Sequence, residues 1–145
     1  MAFESNFVTL IGNLTDDPDL RFTNAGVAIC KIRLAVNRRW KDQSGNDQEE
    51  TSFVSANAWR DLGNNVGESL RKGDRVIVIG RLRIRSYEDK EGVTKWSTEI
   101  EADEISPSLR FATARPEKTN RREPAQVGSG FTAGVPPPSD DDVPF

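Results

Sequence analysis

The 145-residue chain contains no histidine, one cysteine, one methionine and one tyrosine. Without histidine it lacks the commonest general base and the commonest metal ligand. The single cysteine, Cys30, cannot form an intrachain disulfide, and no second cysteine or histidine can complete a zinc site. No stretch approaches the ~20 apolar residues of a membrane span. No apolar run follows a basic segment at the N-terminus, so no signal peptide is expected and the protein is expected in the cytoplasm. Asp16, Asp17 and Asp19 read as a solvated turn, too few and too loosely placed for a metal. No catalytic residue, cofactor or metal is therefore expected.

Hydrophobic residues make up 35% of the chain and charged residues 30%. That suffices for one core in a domain of about a hundred residues. The net charge is -3, but the distribution matters more than the sum. Residues 20–40 hold Arg21, Lys31, Arg33, Arg38 and Arg39 and no acid. Residues 71–85 hold six basic residues and one acid, Asp74.

Composition changes near Ala112. Residues 112–145 contain six prolines and three glycines in 34 positions and little that could build a core. Such a segment cannot offset its ordering entropy and is expected to be disordered. Three regions follow: a domain at 1–111, a linker at 112–139 and an acidic tip at 140–145.

The domain reads as five strands, at 7–14, 27–37, 52–59, 75–87 and 95–105. Period-two alternation assigns one buried and one outward face to each. Cys30, Ile32, Leu34 and Val36 oppose Lys31 and Arg33; Val54, Ala56 and Ala58 oppose Phe53 and Trp59. Val76, Val78, Leu82 and Ile84 oppose Arg81, Arg83, Arg85 and Tyr87. Trp96 shares the apolar face of Ile100 and Ala102 and is expected to pack there, in the core or at its edge. Leu62, Val66 and Leu70, spaced by four, predict one short helix over 61–72, capped by Asp61 and ended by Gly73. Strands with a helix between the third and fourth give the order of an all-β, five-stranded OB-fold, a Greek-key barrel.

The outward faces carry the chemistry. Phe53, Trp59 and Tyr87 sit among polar and basic residues, and Trp40 lies just past the second strand between Arg38-Arg39 and Lys41. Bases of a single strand stack on aromatic rings, worth about 1–3 kcal/mol each, while arginine and lysine track the phosphates. A lone strand aromatic more often packs than binds; four of them beside bases favour binding. The expected contacts are Trp40, Phe53, Trp59 and Tyr87, with Lys31, Arg33, Arg38, Arg39, Arg81, Arg83 and Arg85.

Several segments resemble the bacterial single-stranded DNA-binding proteins. They are Val8-Thr9-Leu10-Ile11-Gly12-Asn13-Leu14 with Asp17-Pro18 and Arg21, Trp40-Lys41-Asp42, Leu70-Arg71-Lys72-Gly73-Asp74, and Gly80-Arg81-Leu82-Arg83. The resemblance spans about residues 4–106 and the last six. It implies an OB-fold homotetramer wrapped by single-stranded DNA, acting at the nucleoid in replication, recombination and repair. The family's stacking aromatics match Trp40, Phe53 and Tyr87, with Trp59 as a fourth. Phe53 and Tyr87 stand where tryptophan is often found, and Val54 where some members place histidine.

The chain ends Asp140, Asp141, Asp142, Val143, Pro144, Phe145. The resemblance makes this a tip that recruits replication and repair proteins. Phe145 suits an apolar pocket, its carboxylate a lysine or arginine, and the aspartates a basic rim. Two other readings compete. A nuclease needs clustered carboxylates with metals or a histidine base, neither of which the pattern offers. An RNA-binding or replisome-accessory OB-fold module shares the strand pattern but not the tip.

Overall fold

The computed structural model describes residues 4–119. Six strands and one helix run in the order β1 (Val8–Leu14), β2 (Asp19–Phe22), β3 (Ala28–Lys41), β4 (Asp47–Trp59), α1 (Arg60–Ser69), β5 (Arg75–Glu88) and β6 (Thr94–Pro107). The hydrogen-bonded order is β1-β5-β6-β4-β3-β2, and β1 also meets β3 where Asn13 faces Ala35 and Leu14 faces Leu34. That pairing closes β1, β5, β6, β4 and β3 into the expected five-stranded barrel, an OB-fold. β2 is an additional short ribbon that pairs with Ala28–Lys31 of β3. Residues 108–119 form no strand or helix. The remainder of the linker and the tip at 140–145 lie outside the described residues.

Alternation builds the core. Cys30, Ile32 and Leu34 of β3, Ala56 and Ala58 of β4, Val76 and Val78 of β5 and Ile100 of β6 fill the barrel. Val66 and Leu70 complete this cluster from the segment of α1 and the residue after it, as their spacing predicts. Gly63 lets α1 lie against β4, since a Cβ there would collide with the Ala58 carbonyl. Cys30 is fully buried, and burial pushes its thiol pKa up, with the nearby Asp19 charge adding to the effect.

The helix departs from expectation at both ends. Trp59 occupies the N-cap position and makes no side-chain cap hydrogen bond. β4 passes into α1 without a loop, so Asp61 falls in the first turn, where its charge still complements the helix N-terminus. The helix stops at Ser69, with the Leu70 N–H donating to the Val66 carbonyl. Gly73, at φ +90°, serves the turn into β5 instead.

The larger departure lies in strand length. β3 and β4 pair from Ile29 opposite Trp59 out to Lys41 opposite Asp47, so Trp40 lies inside a strand rather than past one. β5 and β6 pair as far as Glu88 opposite Thr94. Both hairpins outgrow the barrel. The apolar alternation of β5 continues through Leu82 and Ile84, yet Ile84 is 57% exposed and Trp96 is 70% exposed. Trp96 therefore packs in no core among the described residues. Its stretch of β6 lies beyond the reach of the barrel interior. Each hairpin is closed in the same way: Asp42 Oδ1 accepts from the Ser44 and Asn46 N–H groups, and Asp89 Oδ1 from those of Glu91 and Val93. These are Asx-type turns, in which a carboxylate replaces backbone partners.

Candidate nucleic-acid interface

Residues directly opposite in a strand pair share a face. β3 and β4 place Lys31 opposite Asn57, Arg33 opposite Ser55, Ala35 opposite Phe53 and Ile29 opposite Trp59. β4 runs parallel to β6, with Ser55 beside Glu99 and Asn57 beside Glu101. β6 in turn faces β5, pairing Glu101 with Arg81, Glu99 with Arg83, Ser97 with Arg85 and Lys95 with Tyr87. One outward face therefore runs unbroken across β3, β4, β6 and β5. It carries Lys31, Arg33, Phe53, Trp59, Arg81, Arg83, Arg85 and Tyr87, and Arg39 continues it toward the β3–β4 tip.

Trp40 and Arg38 do not join it. They are one residue out of phase, so they lie on the reverse face of the β3–β4 ribbon. The Arg38 guanidinium stands 4.9 Å from the Trp40 ring centroid. Trp40 lines a depression at the hairpin tip with Arg39, Lys41 and Gln48.

All four aromatics, Trp40, Phe53, Trp59 and Tyr87, are exposed. Phe53 is 59% exposed and Tyr87 51%. Arg33 lies over the Phe53 ring at 5.3 Å. Trp59 is held by its indole: Nε1 donates to Glu101 Oε2 at 2.8 Å. Lys31, Asn57, Trp59, Arg85, Glu99 and Glu101 line a shallow groove of about 550 Å³.

The face is basic but not free of acid, and this the sequence reading missed. Lys31 Nζ pairs with Glu99 Oε1 at 3.4 Å, and Arg83 Nη1 with Glu101 Oε1 at 3.3 Å. Arg81 pairs with Asp103 at 3.8 Å and Arg39 with Glu49 at 3.7 Å. Arg33, Arg38 and Arg85 make no ion pair among the described residues. Asn57 is buried and donates to Glu99 Oε2 at 3.0 Å. The signal was present in the alternation of Ser97, Glu99, Glu101 and Asp103 against Ile100 and Ala102. Reading it required knowing that β6 lies between β4 and β5. Gly80 permits that approach at a bulge, because a Cβ there would collide with the Glu101 carbonyl.

Among the described residues no group of three or more histidine, cysteine, aspartate or glutamate side chains could hold a metal ion. No described helix is long and apolar enough to cross a membrane.

Comparison with known proteins agrees with this geometry. Residues 5–108 match the model of the single-strand binding protein family. The chain is 48% identical over 132 residues to a single-stranded DNA-binding protein of Paenarthrobacter aurescens, covering 90% of this chain and 77% of that one. It is 48% identical over 116 residues to the Mycolicibacterium smegmatis single-stranded DNA-binding protein, covering 79% and 70%. It is 45% identical over 132 residues to that of Mycobacterium tuberculosis strain H37Rv, covering 90% and 77%. A match over most of the barrel, joined to an outward face of aromatics and bases, places this chain in the single-strand binding protein family.

Proposed function

We propose that this protein binds single-stranded DNA without catalysis and with little sequence preference. The continuous outward face of β3, β4, β6 and β5 carries the reading. Phe53, Trp59 and Tyr87 offer ring faces for bases, which any base can use. Lys31, Arg33, Arg39, Arg81, Arg83 and Arg85 offer cations for phosphates. Trp40 and Arg38 receive the strand where it passes over the β3–β4 hairpin. The work is protection of single strands in the cytoplasm during replication, recombination and repair, with no cofactor. Residues 1–111 form the binding domain and 112–139 a linker. The tip Asp140, Asp141, Asp142, Val143, Pro144 and Phe145 recruits replication and repair proteins. A homotetramer is supported by the exposed apolar face of Leu82, Ile84 and Trp96, since contiguous apolar surface of this kind marks a contact site.

Titration with oligo(dT), oligo(U) and a duplex of equal length, followed by tryptophan fluorescence at several salt concentrations, tests the reading. Quenching by oligo(dT) with little response to duplex is expected. The affinity should fall with a log–log salt slope of about -0.7 per phosphate neutralised. Equal response to duplex would overturn single-strand binding, a clear preference for oligo(U) would move the substrate to RNA, and cleavage with magnesium would make the protein an enzyme.

A further inference from the structure

Glu101 sits at the centre of the binding face and contacts three of its other polar groups. Oε2 accepts from Trp59 Nε1 at 2.8 Å; Oε1 accepts from Arg83 at 3.3 Å and from Asn57 at 3.5 Å. Its side chain is only 17% exposed, against 47% for Arg83. The carboxylate is thus set into the face and the guanidinium rises above it. A carboxylate in this position opposes phosphate binding by charge, so its presence asks for a physical reason.

We infer that Glu101 is a positioning residue for single-strand binding, orienting the Trp59 ring for stacking and moderating the grip of Arg83 on phosphate. This rests on the proposed single-strand binding function. The indole N–H has one donor direction, and holding it at an acceptor restricts the rotation of the ring about its side-chain bonds. A ring ordered before the base arrives loses less freedom on stacking than a rotating one. The charge acts in the opposite sense. When a phosphate takes Arg83, Glu101 loses its ion-pair partner and draws a cation back from solution. Part of the counterion release that drives association is then cancelled. Glu99 and Lys31 repeat the ion pair one step along the strand, but Glu99 holds no aromatic ring.

The two effects separate by substitution. The chain has three tryptophans, so Trp40→Phe with Trp96→Phe leaves Trp59 as the sole reporter. In that background the parent is compared with Glu101→Gln, whose side-chain oxygen still accepts the indole N–H, and with Glu101→Ala, which has no acceptor. Without DNA, the fluorescence anisotropy of Trp59 should be preserved by Gln and lost with Ala. With oligo(dT), Gln should bind about two- to fivefold tighter at low salt, the scale of one exposed ion pair. Its log–log salt slope should steepen by up to about 0.7, one further net counterion release. Ala should share the steeper slope yet bind more weakly than Gln at high salt. Equal Trp59 anisotropy in all three proteins would overturn the positioning role. An unchanged slope in Glu101→Gln would overturn the charge role. Failure of the native chain, with all three tryptophans, to bind oligo(dT) would instead overturn the proposed function, while the DNA-free anisotropy still decides whether Glu101 orders the ring.

Discussion

β5 lives in two environments. From Arg75 to Gly80 it alternates between the barrel interior and the outside, with Val76 and Val78 completely buried. From Arg81 to Glu88 every residue is exposed. The parity of the faces nevertheless runs through the boundary unchanged: Leu82 and Ile84 continue the side of Val76 and Val78, and Arg81, Arg83 and Arg85 the side of Ile77 and Ile79. In the inner half the core dictates the apolar residues. In the outer half the cover thins, with Leu82 36% exposed and Ile84 57%. A period-two pattern reports two-faced surface, and only topology says whether the apolar face is turned inward.

The sharpest test of this contrast substitutes one apolar residue of the barrel core, Ile100 of β6, and one of the outer half of β5. Ile100→Ala, in the barrel, should cost about 2–5 kcal/mol in urea unfolding. Ile84→Ala should cost about 0.5 kcal/mol or less at protein concentrations low enough to hold the chain as a monomer. The gap should narrow as concentration rises and a partner copy covers Ile84. Equal costs at every concentration would mean that the outer half behaves as core.

A second contrast separates the two faces of the β3–β4 ribbon. Phe53→Ala should weaken oligo(dT) binding by about 1–3 kcal/mol whatever the oligonucleotide length. Trp40→Ala should cost the same for long strands, which can cross the ribbon to its reverse side. It should cost little for strands near the lower end of the roughly 4–16 nucleotides that one OB-fold covers. Length-independent loss at Trp40 would place both rings on one path.

Deleting residues 140–145 should leave DNA affinity unchanged, or slightly raised at low salt where the aspartates compete for the basic face. Pull-down of repair proteins should be lost. A large fall in affinity would assign the tip to DNA binding.

The smallest effect concerns the hairpin tips. Hydrogen bonds from backbone N–H groups, Asn46 foremost for Asp42 and Val93 foremost for Asp89, hold both carboxyl pKa values below their ordinary 3.8. A folded-state pKa lowered in this way contributes stability that is present above about 3.8 and is lost as pH falls through the lowered value. In an acid titration below pH ~4, amide exchange at Ser44, Asn46, Glu91 and Val93 should therefore speed up before that of the barrel. Barrel amides that open first would show the turns to be held by other contacts.

Much of this architecture was legible in the residues. The five barrel strands, the helix between β4 and β5 and the outward placement of Phe53, Trp59, Tyr87, Arg33, Arg81, Arg83 and Arg85 follow from alternation and spacing. β2 was not legible, because four residues with one inward leucine, Leu20, make no period. Trp96 was misplaced because alternation assigns a face without saying where the barrel ends. Trp40 was grouped with Phe53 by proximity to bases, whereas a strand continuing through it sets its parity. The role of Glu99 and Glu101 is not legible in sequence because their neighbours on β4 and β5 are distant along the chain, and charge becomes meaningful only beside its partners.

The buried Cys30 has a practical consequence. Its thiol is shielded by the barrel wall and less ionised than a free one, so it should react slowly with maleimides. A cysteine introduced at Ala25, in the exposed turn between β2 and β3, would then accept a dye selectively without removal of the native thiol. The chain is, in effect, already prepared for site-specific labelling.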